Sequence, residues 1–291
     1  LGTLNPVVPN RAAGVKIYGE VLSSIESYPI SVSADGRYVV YESNARNILP
    51  GVLDNNGFID VFLLDRKTGV TSLVSHLGDG VTTGLSNSFN AQISANGSAV
   101  VYQSGVRNLV SGMVDANVIG TDLFLYDVAT GTNRLISHSG DSLTTGNGQA
   151  DSAVISADGK TVAFVSSATN LVEGVTDANG HTQDVFLFSA ETNAIRLVSH
   201  TGDELTTGNY RSLNPNLSAD GFTVAFESQA TDLIDGGIDV NGTDSDVFLF
   251  LAGTSNLRLV SHTGDGITTG NDNSYSASIS ADGSMLAFGA S

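Results

Sequence analysis

The chain has 291 residues, 41% of them hydrophobic, and carries 30 acidic against 12 basic side chains, for a net charge of -18 and a pI near 4.3. That surplus excludes nucleic acid as a partner, because phosphate backbones are bound by clustered Lys and Arg, and it favours cations. The chain has no cysteine, which excludes disulfides and thiolate chemistry, and no apolar run near 18 residues, which excludes a membrane-spanning helix.

Taken in order, residues 1–26 begin without Met or a signal peptide and read as the start of a mature or trimmed chain. They contain two extended-looking pieces, 4–8 and 15–21. From Ser27 a unit repeats. Its full copies span 27–87, 88–149, 150–211 and 212–273, and a half copy spans 274–291. The dipeptide Ser-His recurs at Ser75-His76, Ser137-His138, Ser199-His200 and Ser261-His262, 62 residues apart each time. A turn recurs with the same period at Asp35-Gly36, Asn96-Gly97, Asp158-Gly159, Asp220-Gly221 and Asp282-Gly283. A period of this kind marks an array of like units.

Each unit holds four runs rich in Val, Ile, Phe and Thr, which in the third copy are 153–156, 161–166, 184–188 and 195–199. Asp-Gly between the first two suits a tight hairpin. Thr68-Gly69, Thr130-Gly131 and Thr192-Asn193 mark the turn between the third and fourth. Helical periodicity is absent. The reading is all-β, a β-propeller of four-stranded antiparallel blades. One domain over 1–291 is expected, with five blades, the fifth completed by strands from 1–26 so that no sheet edge is left open.

The pattern ISADGKTVAFVS at 155–166 followed by DVFLFSAETNAIRLVSH at 184–200 resembles the propeller repeat of the TolB family, a relative of WD repeats. The resemblance covers 27–291 and implies the fold. It also implies one functional alternative, a periplasmic protein-interaction domain. Ala stands where that family's turn usually has Pro, no separate N-terminal domain is seen, and an added acidic loop resembles one in repeat arrays of large secreted bacterial proteins. A role in envelope integrity is therefore not carried over.

That loop precedes each third strand. Its polar set is Asp54, Asn56 and Asp60 in the first copy, Asp115, Asn117 and Asp122 in the second, Asp177, Asn179 and Asp184 in the third, and Asp239, Asn241 and Asp246 in the fourth. Oxygen ligands two residues apart, a sharp turn and a further Asp at the strand entry suit Ca²⁺, which takes six to eight oxygens. The alternative is an Asx turn with no metal. Two carboxylates recur where a turn needs one, and no Lys or Arg lies within the loops. The bidentate Glu of an EF-hand is missing, so a weaker, extracellular-grade site is expected. The third and fourth copies are the better sites, with Asp244 as an added ligand in the fourth. The second has Val118 in place of Gly, and the first is one residue shorter.

A second loop follows each Ser-His, with an Asp at Asp79, Asp141, Asp203 or Asp265 and then Thr-Thr-Gly. It reads as a hydrogen-bonded crossover, or else as a ring of hydroxyls and carboxylates offered to a sugar or protein. The four repeated histidines read as structural. By the WD resemblance they would bond to Ser104, Ser166 and Ser228. The whole is expected to be a non-catalytic, Ca²⁺-stabilised interaction or spacer module of a secreted, cell-surface or periplasmic protein, a monomer or part of a larger chain. The alternative is a hydrolase or lyase of polysaccharide with carboxylates of different blades at the axis. Glu20, Glu26, Glu173, Glu204, Asp151 and Asp272 are its unrepeated acids, and no nucleophile or metalloprotease motif accompanies them.

Overall fold

The computed structural model describes residues 27–52, 54 and 56–291. Sheet one comprises β1 (Ser27–Val32), β2 (Tyr38–Ser43), β3 (Asp60–Asp65) and β4 (Val70–Leu73), and sheet two β5 (Ser88–Ile93), β6 (Ala99–Ser104), β7 (Asp122–Asp127) and β8 (Thr132–Leu135). Sheet three comprises β9 (Ala150–Ile155), β10 (Thr161–Ser166), β11 (Asp184–Ser189) and β12 (Ala194–Leu197). Sheet four comprises β13 (Ser212–Leu217), β14 (Thr223–Ser228), β15 (Asp246–Leu251) and β16 (Asn256–Leu259). A two-stranded sheet of β17 (Ser274–Ile279) and β18 (Leu286–Ala290) follows. Each complete sheet is an antiparallel meander in sequence order, the form of a propeller blade. No helix occurs among the described residues. The closing strands expected at 4–8 and 15–21 lie outside them.

The second and third strands of each four-stranded sheet are largely buried on both faces, which is why they read as unbroken apolar runs rather than as alternating ones. Their cross-strand pairs place aromatic rings face to face. Tyr102 stacks on Phe124 at 5.7 Å, Phe164 on Phe186 at 5.7 Å and Phe226 on Phe248 at 5.6 Å. The apolar clusters run from one sheet into the next. One joins Val101, Leu123 and Leu125 of sheet two to Phe164 and Phe186 of sheet three, and another joins Val165, Val185 and Leu187 of sheet three to Phe226.

Successive sheets are also laced together through their first turns. Ser156 Oγ donates to Asp158 Oδ1 at 2.7 Å and Lys160 N to the same oxygen at 3.0 Å, closing a turn in which Gly159 has φ +76°. Each turn then bonds to the next, with Ala34 N donating to Ala95 O at 2.8 Å, Asn96 N to Ala157 O at 2.9 Å, Ala157 N to Ala219 O and Ala219 N to Ala281 O, both at 2.8 Å. At the other end, every first strand is bulged, with positive φ at Asn90, Ser152, Asn214 and Ser276. Two glutamates fix these bulges from the preceding sheet. Glu42 accepts the Ala91 amide at 3.2 Å, and Glu227 accepts the Ser276 amide at 2.7 Å.

Candidate metal centres

Each third strand opens on its conserved-in-repeat Asp, and that residue enters between two sheets where water does not reach. Asp60, Asp122, Asp184 and Asp246 are all buried. Their hydroxyl partner is the Ser of the Ser-His dipeptide on the far side of the third-to-fourth hairpin. Ser75 donates to Asp60 at 3.0 Å, Ser137 to Asp122 at 3.1 Å, Ser199 to Asp184 at 3.0 Å and Ser261 to Asp246 at 2.8 Å. The two most regular signals of the sequence are thus one contact.

The upstream Asp of each loop makes the Asx turn. Asp54, Asp115 and Asp177 accept the amide two residues on at 3.1 Å, and Asp239 does so at 3.0 Å. The Asn between ties the loop to the following crossover. Asn179 Nδ2 faces four oxygens, Gly208 O at 2.9 Å, Tyr210 O at 3.2 Å and both Asp184 carboxylate oxygens at 3.3 Å. An amide nitrogen has two protons, so oxygen is in excess there. In the other loops, Asn117 reaches Asp122 Oδ1 at 3.3 Å and Gly148 O at 3.2 Å, Asn241 reaches Asp272 O at 3.2 Å, and Asn56 reaches Thr83 Oγ1 at 3.0 Å. Three buried oxygens, Asp60 Oδ2, Asn117 Oδ1 and Asn179 Oδ1, have no hydrogen-bond partner.

Oxygen-only donors, orphaned oxygens and paired carboxylates fit a hard cation. Among the described residues, no three His, Cys, Asp or Glu side chains form a metal-binding group. Each loop therefore offers two carboxylates supplemented by amide and backbone oxygens, a low charge count. The loops are also unequal. The expectation that no basic residue neutralises them needs correcting for the second, where Arg107 from the preceding segment pairs with Asp115 at 3.0 Å. In the first, the Arg46 guanidinium packs against Gly57. Thr169 and Thr231 occupy this repeat position in the third and fourth copies, so those loops keep uncompensated charge.

Burial strips water from the strand-entry carboxyls and raises Asp60 and Asp122 to about 7, Asp184 to about 8 and Asp246 to about 6, with the neighbouring loop carboxylate adding to the shift. Above the unfolded value of about 4 and below these folded values, the native state holds protons that the unfolded chain has released. Stability contributed by these groups is therefore present at low pH and lost as pH rises through their folded values. In EGTA the melting temperature is expected to fall between about pH 5 and pH 8, and Ca²⁺, which competes with those protons, should flatten the fall. Scanning fluorimetry across that range checks this; a midpoint that rises with pH in chelator contradicts it.

The crossover loop is a hydrogen-bonded clasp. Asp203 accepts the amides of Leu205 and Thr206 at 2.9 Å and the Thr206 hydroxyl at 2.7 Å, and the pattern recurs at Asp79, Asp141 and Asp265. The second Thr of each Thr-Thr-Gly is buried and accepts an acidic-loop amide. Ala178 N donates to Thr207 Oγ1 at 2.9 Å, Ala116 N to Thr145 at 2.8 Å and Val240 N to Thr269 at 3.0 Å. In the first three copies the Gly has no room for a side chain, whereas Gly270 in the fourth has ordinary clearance. A Cβ at Gly208 would lie 2.7 Å from the Ala230 Cβ and 2.8 Å from Leu233 Cδ2. Gly208→Ala is expected to cost about 1–3 kcal/mol by overpacking, read as a lower urea midpoint.

The histidines serve the interface between sheets, though not through Ser104, Ser166 and Ser228 as expected. Those serines bond within their own sheet, for example Ser104 to Ser88 at 2.9 Å. The imidazoles lie edge-on against the third-strand ring of the next sheet. His76 meets Tyr126 at 5.9 Å, His138 meets Phe188 at 6.1 Å and His200 meets Phe250 at 5.7 Å. His181 is exposed, with Nδ1 at 3.3 Å from Ser167 O.

Of the unrepeated acids, Asp151 lines a cleft of about 500 Å³ between the first strands of sheets two and three, with Phe89, Asn90, Gln92, Gln103 and Ser152. It is the one carboxylate in that lining. Glu173, Glu204 and Asp272 are exposed elsewhere, and Glu20 and Glu26 lie outside the described residues.

No protein-family model matches the chain, and no curated protein matches its sequence. Solved structures do resemble it. A prolyl endopeptidase superposes over 88% of this chain and 31% of its own length, with 13% identity and a TM-score of 0.50. TolB from Acinetobacter baumannii aligns over 90% of this chain and 48% of its own, with 14% identity and a TM-score of 0.45. An oligogalacturonate lyase from Vibrio parahaemolyticus aligns over 88% and 59%, with 18% identity and a TM-score of 0.46. The chain thus spans about half the length of that TolB. At such identities the likeness to the prolyl endopeptidase is one of fold alone, and the chain itself is an all-β array of four-stranded antiparallel sheets ending in a two-stranded one.

Proposed function

We propose that the chain is a non-catalytic β-propeller module of a secreted, cell-surface or periplasmic protein, stiffened by Ca²⁺ held in its acidic loops. The observation that carries this reading is a buried strand-entry carboxyl beside a second carboxylate, with no basic partner in the third and fourth loops. Asp177, Asn179 and Asp184, joined by the Gly208 and Tyr210 carbonyls, would hold one ion. Asp239, Asn241 and Asp246, with Asp244 nearby, would hold another. Asp54, Asn56 and Asp60 form a weaker site, and Asp115, Asn117 and Asp122 one already part-neutralised by Arg107. A bound cation supplies the counter-charge that lets the buried carboxyls ionise and pins each acidic loop to the crossover behind it. A rigid surface of this kind presents loops to a protein or carbohydrate ligand.

Calorimetric titration with Ca²⁺ tests the assignment. Saturable binding is expected, and Asp177→Ala combined with Asp184→Ala should remove one site while leaving the others. Unchanged stoichiometry in that variant would overturn the ligand set.

A further inference from the structure

The residue three places after the serine that ends each second strand differs between the four full copies, and the difference decides where positive charge sits. It is Arg46 in the first, Arg107 in the second, Thr169 in the third and Thr231 in the fourth. The two threonines are held by the crossover that enters their own sheet. Asn147 Nδ2 donates to Thr169 Oγ1 and Thr169 N to Asn147 Oδ1, both at 2.8 Å, and Asn209 clasps Thr231 in the same way at 2.8 and 2.9 Å. In the second copy the crossover residue at that repeat position is Leu85, 82% exposed, whose side chain has no hydrogen bond to offer. Arg107 turns to the acidic loop instead. Its Nε lies 3.0 Å from Asp115 Oδ2 and its Nη2 donates to the Val118 carbonyl. A carboxylate oxygen and a loop carbonyl are donors that Ca²⁺ takes, and here the guanidinium occupies both. In the other two loops, Asp177 and Asp239 have no ion-pair partner among the described residues, and Asn179 Oδ1 is buried without a hydrogen-bond partner.

We infer, resting on the calcium reading above, that Arg107 is a tethered cation that closes the second acidic loop without metal. The crossover between sheets two and three is then held permanently, while the crossovers that follow sheets three and four are held firmly only when Ca²⁺ is bound. A guanidinium is charged at every pH at which the protein is folded, and covalent attachment fixes its local concentration whatever the solution holds. With Arg107 in place, Asn117 Nδ2 reaches the Gly148 carbonyl of the crossover at 3.2 Å. The same contact in the third loop runs from Asn179 to Gly208 at 2.9 Å, and in the fourth from Asn241 to Asp272 at 3.2 Å. There the counter-charge must come from solution. Asn117 Oδ1 stays unpartnered beside Arg107, so the arginine replaces the ion's charge rather than its full coordination. Calcium thereby controls one part of the repeat array and leaves the part before it alone.

Hydrogen exchange of the full chain in EGTA and in about 10 mM Ca²⁺ reads each loop separately. Calcium should slow exchange about tenfold or more at 177–184 and 239–246 and leave 115–122 within about twofold. Arg107→Thr should make 115–122 calcium-dependent and raise the calorimetric stoichiometry by one ion. The reverse exchange, Thr169→Arg with Asn147→Leu, copies the arrangement of the second loop into the third. It should lower the stoichiometry by one ion and leave 177–184 indifferent to EGTA. If the third and fourth loops respond to Ca²⁺ but 115–122 responds equally in the unaltered chain, or if Arg107→Thr gains no ion, the inference is overturned and the calcium reading stands. No response in any loop overturns both.

Discussion

EGTA is expected to lower the melting temperature of the chain by about 5–10 °C relative to a sample in about 10 mM Ca²⁺. An ion bound only by the folded state stabilises it by about 2.7 kcal/mol at a hundredfold excess over its dissociation constant. The third and fourth loops, with uncompensated carboxylates, would each contribute on that order, while the second, with Arg107 on Asp115, would contribute less. Mg²⁺ should not substitute, because it demands near-ideal octahedral geometry and sheds water reluctantly, whereas these loops offer an irregular set of carboxylate, amide and carbonyl oxygens. Asp177→Ala with Asp184→Ala should lose about half of the shift. A midpoint indifferent to chelation would leave the loops as Asx turns.

The second large effect lies in the core. Phe226→Ala is expected to destabilise the chain by about 3–5 kcal/mol, because the ring is fully buried, stacks on Phe248 and touches the apolar side chains of the preceding sheet. The same substitution at Phe288, one repeat later, should cost less, about 1–2 kcal/mol, since that residue is 38% exposed. Urea denaturation of the two variants makes the comparison at one repeat position with one side chain. Equal losses would mean that Phe288 is covered.

The strands were legible because their causes are local. Thr161–Ser166 matches its predicted span and Asp184–Ser189 exceeds its by one residue, since unbroken apolar runs bounded by turn residues leave little choice. The first strand of the third unit was predicted at 153–156 but runs Ala150–Ile155. The reason is the bulge at Ser152, whose positive φ and polar neighbours hide a strand from any alternation rule. Two of the equivalent bulges are held by a glutamate of the preceding sheet, a contact that one unit alone cannot express. The same holds at the site. The repeated Asp and Ser-His were visible, but their contact depends on the hairpin that brings β11 beside β12. Arg107 lies outside the loop it neutralises, and the histidines find rings in the next sheet rather than a hydroxyl in their own. Thr-Thr-Gly recurred for a reason that only the packing supplies, a hydroxyl for the acidic loop and a glycine pressed on Ala230 and Leu233.

The most direct test is a crystal grown with Ca²⁺ and measured for anomalous scattering at the acidic loops. The account predicts peaks in the third and fourth loops, each about 2.3–2.6 Å from oxygens of Asp177, Asn179 and Asp184 or of Asp239, Asn241 and Asp246. Loops without anomalous signal in saturating Ca²⁺, with Asn179 Nδ2 still among its four oxygens, would contradict it.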